Sequence, residues 1–148
     1  MKKLDEKISF LEKITTLNPG ADIVEIDNFL KRCRAELFVS PPAEYVSFLE
    51  KHNGAAENGV FLYSTRRLPF VDCSGENNDF VEMNLNWRDL DWMNGYLVFG
   101  DSDMDIYVLE LATGLYQVRD RQAFDNVFNE FLSFNEMLIY MVDLMIAA

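Results

Sequence analysis

One histidine, two cysteines and a dense run of aspartates set what chemistry this 148-residue chain can do. A nucleophile–histidine arrangement would have to use His52, and a zinc site with two histidines cannot be built. Cys33 and Cys73 lack the C-x-x-C spacing of redox and zinc motifs, and two cysteines are too few to staple a secreted scaffold. Asp101-Ser102-Asp103-Met104-Asp105 alternates carboxylates as a hard cation prefers. The calcium-loop pattern fails at its sixth position, where glycine is replaced by Ile106, and at its twelfth, where glutamate is replaced by Ala112. The run reads better as a turn capped by aspartates. A metal-dependent hydrolase using Asp101, Asp103 and Asp105 stays open as an alternative.

G-x-S-x-G, G-x-x-x-x-G-K-[ST] and G-x-G-x-x-G are all missing from the sequence. No nucleophile elbow, phosphate cradle or dinucleotide fingerprint is therefore encoded. No cofactor is expected.

The charge is more informative. The net charge is −12, from 13 basic and 25 acidic side chains. Residues 1–40 are neutral, with seven of each sign, so residues 41–148 carry the whole excess. Residues 71–110 are the extreme, with ten carboxylates against Arg88 alone. Phosphate contacts need Lys and Arg, so direct binding of nucleic acid is not expected. A cationic protein partner is, because such a field steers and accelerates encounter. Candidate partner-binding residues are Glu76, Asp79, Asp89, Asp91, Asp101, Asp103 and Asp105. Trp92, flanked by Asp91 and Met93, is the aromatic most suited to an exposed anchor, whereas Trp87 lies on an apolar stripe. A solvated acidic surface that only maintains solubility is the plainer reading of the same residues.

These side chains must be positioned by a core, and 49% hydrophobic with 14% aromatic residues is ample for a single domain. Leu4, Ile8, Leu11, Ile14 and Leu17 recur at helical spacing and predict a helix over residues 4–17, stopped by Asn18-Pro19-Gly20. A second helix is predicted from Ala21 to Glu36, with Asp22 as its N-cap. Pro41-Pro42 opens a third, which Asn53-Gly54 closes. His52, in its last turn, complements the helix dipole or packs.

Short apolar runs at Val60–Tyr63 and Leu68–Val71 predict strands, the second near an edge because of Pro69. A helix is predicted over Asn78–Arg88. Tyr96–Phe99, Ile106–Leu109 and Leu115–Val118 follow as an antiparallel meander. A short helical turn is expected around Phe124–Phe128, and a closing helix from Phe134 to Ile146 with Ser133 and Glu136 as its start signal. The predicted class is α+β: amino-terminal helices, a mostly antiparallel sheet with a central meander, and a closing helix. The amino terminus turns acidic after Lys2-Lys3, without the apolar stretch of a signal peptide. Asp143 interrupts the apolar carboxyl-terminal segment, which is shorter than the ~20 residues of a membrane span. A cytoplasmic protein without a membrane partner is expected.

Pro41-Pro42-Ala43-Glu44-Tyr45-Val46-Ser47-Phe48-Leu49, then His52-Asn53-Gly54 and Gly59-Val60-Phe61-Leu62-Tyr63, resembles the opening of the SUKH superfamily. That family includes the domain of fungal Smi–Knr cell-wall regulators and many bacterial immunity proteins. Leu97-Val98-Phe99-Gly100-Asp101 with Asp105-Ile106-Tyr107-Val108-Leu109 is similar to its central hairpin. Ser133-Phe134 and Glu136-Met137-Leu138 are similar to its closing helix. The chain departs from the family at Ser102-Asp103-Met104, where a glycine-rich turn is common. The resemblance implies one SUKH-like domain over residues 1–148, with 1–38 as an extra helical segment and 39–148 as the core. It also implies a non-catalytic binding domain, not an enzyme, of immunity type set against a nuclease-like toxin, or a regulatory interaction module without one.

Overall fold

Three helices lead into the sheet. The computed structural model describes residues 2–147, in which α1 (Lys2–Ile14), α2 (Ile23–Arg32) and α3 (Ala43–Lys51) come first. A π-helical turn, Cys33–Leu37, extends α2. Strands β1 (Ala55–Glu57), β2 (Val60–Leu62), β3 (Leu68–Pro69) and β4 (Glu76–Asn77) precede α4 (Phe80–Trp87). Then come β5 (Tyr96–Asp101), β6 (Asp105–Glu110), β7 (Leu115–Asp120), β8 (Val127–Phe131) and α5 (Phe134–Ile146). Six strands form one antiparallel sheet in the order β1-β2-β5-β6-β7-β8, and β3 pairs with β4 alone. This is the expected α+β arrangement.

The capping chemistry accounts for the helix starts. Asp22 accepts from the Glu25 N–H, Asp79 from Val81 and Glu82, and Ser133 from Glu136. Asp79 thereby starts α4 at Phe80, two residues later than predicted. The first helix stops at Ile14 rather than Leu17, where β-branched Thr15 and Thr16 follow. The helical turn expected around Phe124–Phe128 is not formed. Val127–Phe131 instead pairs with β7, with a bulge opposite Val118 and Arg119 that absorbs Phe128.

An aromatic cluster fixes the layers. Tyr45 of α3 lies 5.1 Å from Phe80 and Phe99 and 5.3 Å from Phe134, and its hydroxyl donates to the Tyr63 carbonyl. Tyr116 and Tyr107 meet Phe134 and Tyr140 of α5, which places this helix on one face of the sheet. Cross-strand register then puts Tyr96, Ile106, Val108, Gln117 and Arg119 on the other face. Leu4, Ile8 and Leu11 of α1 are buried in the same core, where α1 packs against α5. Among the described residues no helix is long and apolar enough to cross a membrane.

Strand β2 is short and pairs with β5 only at Gly100 and Asp101. Beyond it, Asn84 of α4 serves as a surrogate strand. Its side-chain nitrogen donates to the Phe80 and Val98 carbonyls at 2.9 and 2.8 Å, and its oxygen accepts from the Val98 N–H at 2.7 Å. Leucine at position 84 leaves the Val98 N–H and carbonyl buried without partners. Asn84→Leu is therefore expected to lower stability by about 2–4 kcal/mol, read as a reduced urea midpoint with an unchanged slope.

Candidate partner-binding surface

The β5–β6 and β6–β7 hairpins decide where the aspartates go. Asp101 ends β5, Asp103 lies in the turn and Asp105 opens β6. In the β6–β7 register Asp105 stands directly opposite Asp120. The loop from Arg121 to Asn126 leaves from this same end and folds back, so that its Asp125 lies beside Trp92 and Tyr96. Asp101, Asp103, Asp105 and Asp120 therefore share one end of the sheet, where Arg121 reaches Asp101.

Arg121 reaches Asp101 at 3.4 Å and donates to the Ser102 carbonyl at 3.0 Å. Asp101 is 6% exposed, and the Tyr63 hydroxyl donates to it at 2.5 Å. Burial, then the Asp101 charge, pushes the Tyr63 hydroxyl far above the usual tyrosine range, so Tyr63 stays a donor. Asp101 is thus an internal anchor of the turn, Asp103 is its exposed member, and Asp105 is half-buried beside the Tyr107 hydroxyl.

Asp120 takes a hydrogen bond from the Gln122 N–H, which holds its carboxyl below the ordinary aspartate value. Asp105 moves the other way. Partial burial raises it, the Tyr107 hydroxyl lowers it, and the Asp120 charge raises it again. A carboxyl whose folded-state value is raised favours its protonated form in the native state. Stability is then lost as pH rises through the window above the ordinary value. Asp105→Asn is expected to raise the urea midpoint at pH 7, with the gain closing as pH falls below about 4.

Elsewhere the candidate residues are dispersed. Asp79 is 5% exposed and binds the Arg32 guanidinium at 2.8 Å besides capping α4. Its role in the fold is to pin α2 to α4. Exposed Glu76 lies on β4 at 4.0 Å from Arg67, which also pairs with Glu82. Asp89 and Asp91 are exposed and lie ahead of β5, around the 3-10 turn Asp91–Gly95. Strand β5 separates them from Asp101 by five residue steps, or about 16 Å.

Trp92 is 52% exposed and packs 4.9 Å from Phe124. Phe124 belongs to the loop that leaves the acidic end, and its ring also lies 4.9 Å from Tyr96. Beneath these rings Arg119 is 7% exposed, with its guanidinium 4.4 Å from the Phe124 centroid and 5.0 Å from Tyr96. Arg119 donates to the Phe124 carbonyl, to Gln117 and to Glu110. This network lies on the sheet face opposite α5, whereas the register turns Asp105 and Asp120 to the α5 side, so the two meet only around the end of the sheet.

Asp120, Asp125, Tyr96 and Phe124 were outside the sequence-based candidates. A signal for Asp120 exists: the Ala112-Thr113-Gly114 turn sets the hairpin register, and counting back from Glu110 and Leu115 pairs Asp105 with Asp120. Among the described residues no group of three or more His, Cys, Asp or Glu side chains is arranged to hold a metal. Cys33, although flanked by arginines, is buried and its thiol is pushed up to about 12.

No curated protein matches the sequence. The profile of the SMI1 / KNR4 family (SUKH-1) matches residues 26–139, from within α2 to the middle of α5. That span contains the whole six-stranded sheet, the acidic end and the Trp92–Phe124 contact, and leaves α1 outside. Since the match covers most of its length, the chain belongs to the SMI1 / KNR4 family (SUKH-1).

Proposed function

We propose that this chain is a non-catalytic, cytoplasmic immunity-type domain that neutralises a basic, nuclease-type toxin by covering its active surface. The observation that carries the proposal is the Asp105–Asp120 pair. Like charges directly opposite on neighbouring strands destabilise a sheet, and Asp103, in the turn next to them, has no ion-pair partner among the described residues. Asp120 gains the Gln122 N–H and Asp105 the Tyr107 hydroxyl, but no contact among the described residues answers the charge of this pair with a cation. A ligand that brings positive charge does.

A nuclease is cationic where it holds its substrate, so an inhibitor of that surface is acidic. Asp103, Asp105, Asp120 and Asp125 steer the encounter and accept charge-assisted hydrogen bonds, and Trp92 supplies the apolar anchor. Asp89 and Asp91 extend the field beyond the far end of β5, whereas Glu76, Asp79 and Asp101 act through their internal pairs.

The test is affinity capture from the source organism at low and at high salt, followed by a nuclease assay of the captured protein with and without added chain. A basic protein whose nuclease activity the chain suppresses is the expected result. Capture of neutral or acidic proteins only, or a nuclease that stays active when bound, contradicts the proposal.

A further inference from the structure

The rings around Trp92 enclose more than an apolar anchor needs. An open basin of about 610 Å³ is bounded by Trp92, Tyr96, Ala123, Phe124 and Asp125. We infer that this basin is a socket for one arginine side chain of the protein partner, an inference that rests on the binding role proposed above.

Three observations carry it. The first is aromatic: Trp92, Phe124 and Tyr96 stand in sequence at 4.9 Å spacings around the basin, the residue types that bind cations through their ring quadrupoles. The second is precedent within the cluster itself. Arg119 already lies against Phe124 and Tyr96 from the sheet side, which shows that these rings accept a planar guanidinium.

The third is charge. Arg119 is matched by Glu110 at 3.2 Å. Asp125 on the wall then remains without an ion-pair partner among the described residues. The repulsion of a second guanidinium by Arg119 is thereby offset, and one carboxylate is left to attract it.

Arginine suits the basin better than lysine does. Its guanidinium is planar and weakly hydrated, stacks on rings and pairs side-on with a carboxylate. A lysine ammonium would have to shed a tighter water shell to enter. An uncharged apolar side chain would leave Asp125 unanswered.

The experiment is an NMR titration of the isotope-labelled chain with acetyl-arginine amide, with acetyl-citrulline amide as the neutral isostere. Shifts of the Trp92 indole N–H and the Tyr96 amide that saturate with the arginine compound are expected, with citrulline at least ~10-fold weaker. Trp92→Ala and Asp125→Asn, both at the basin's exposed wall, should each weaken the titration read at Tyr96 by a similar factor. Equal shifts with citrulline, no shifts, or a titration unchanged in both variants would overturn the socket. Suppression of a captured nuclease in that event leaves the proposed function standing. A working socket in a chain that captures no cationic protein removes the toxin reading alone.

Discussion

Gly100→Val is expected to cost about 3–5 kcal/mol and to lower the melting temperature by about 10–15 °C in a domain of this size. The reason is a close approach of backbone. A Cβ built on Gly100 would lie 2.0 Å from the Phe61 carbonyl oxygen and 3.1 Å from Met141 Cε. Phe61 and Leu62 pair with Asp101 and Gly100, so any side chain at position 100 pushes β2 off β5. The loss spreads from there. Tyr63, which holds Asp101, follows β2 directly and donates its own N–H to the Phe99 carbonyl. Gly95→Ala is the matched control. Its Cβ meets nothing within 4 Å, and a change within about 0.5 kcal/mol is expected. Thermal denaturation of the two variants beside the parent chain checks both statements.

Reversing the acidic end is expected to separate binding from folding. In the triple variant Asp103→Lys, Asp105→Asn, Asp120→Asn, affinity for a cationic partner should fall by at least ~100-fold at low salt, chiefly through the association rate. The gap between variant and parent should narrow as salt rises, because exposed charges are screened over about 10 Å at 0.1 M. Folding should not suffer. The substitutions remove the like-charge Asp105–Asp120 pair and leave Asp101 with Tyr63 and Arg121. A matched reversal on the far helices, Asp27→Lys with Glu50→Lys, should change affinity by no more than ~3-fold. Stopped-flow association at several salt concentrations, together with urea melts of each variant, tests this. An affinity loss that tracks a loss of stability would assign the aspartates to folding instead.

Elements with strong local signals were legible in the sequence. The closing helix follows from Ser133, Glu136 and its apolar face. The β5–β7 meander follows from short turns between β-rich runs. Strands of two or three residues, such as β1 and β4, carry too little pattern to register. Strand β8 looked helical because Phe124 and Phe128 share a helical spacing, and only the tertiary pairing with β7 overrides it.

The candidate surface was legible in kind and blurred in place. Counting charge located the excess, but charge alone cannot tell a capping aspartate from a free one. Asp79 caps a helix and binds Arg32, Asp101 anchors a turn and Asp105 is half-buried beside Tyr107, whereas Asp103 in the same run is exposed. Asp120 and Phe124 lie well outside the acidic stretch in sequence. They join it only because a hairpin and a folded-back loop bring them there.

Amide hydrogen exchange of the chain, free and bound to its captured partner, tests the central claim most directly. Slowed exchange confined to residues 101–105 and 119–126, extending to Trp92 and Tyr96, is the predicted footprint. Protection over α1, α2 or the β3–β4 pair, with residues 101–105 unchanged, would contradict it.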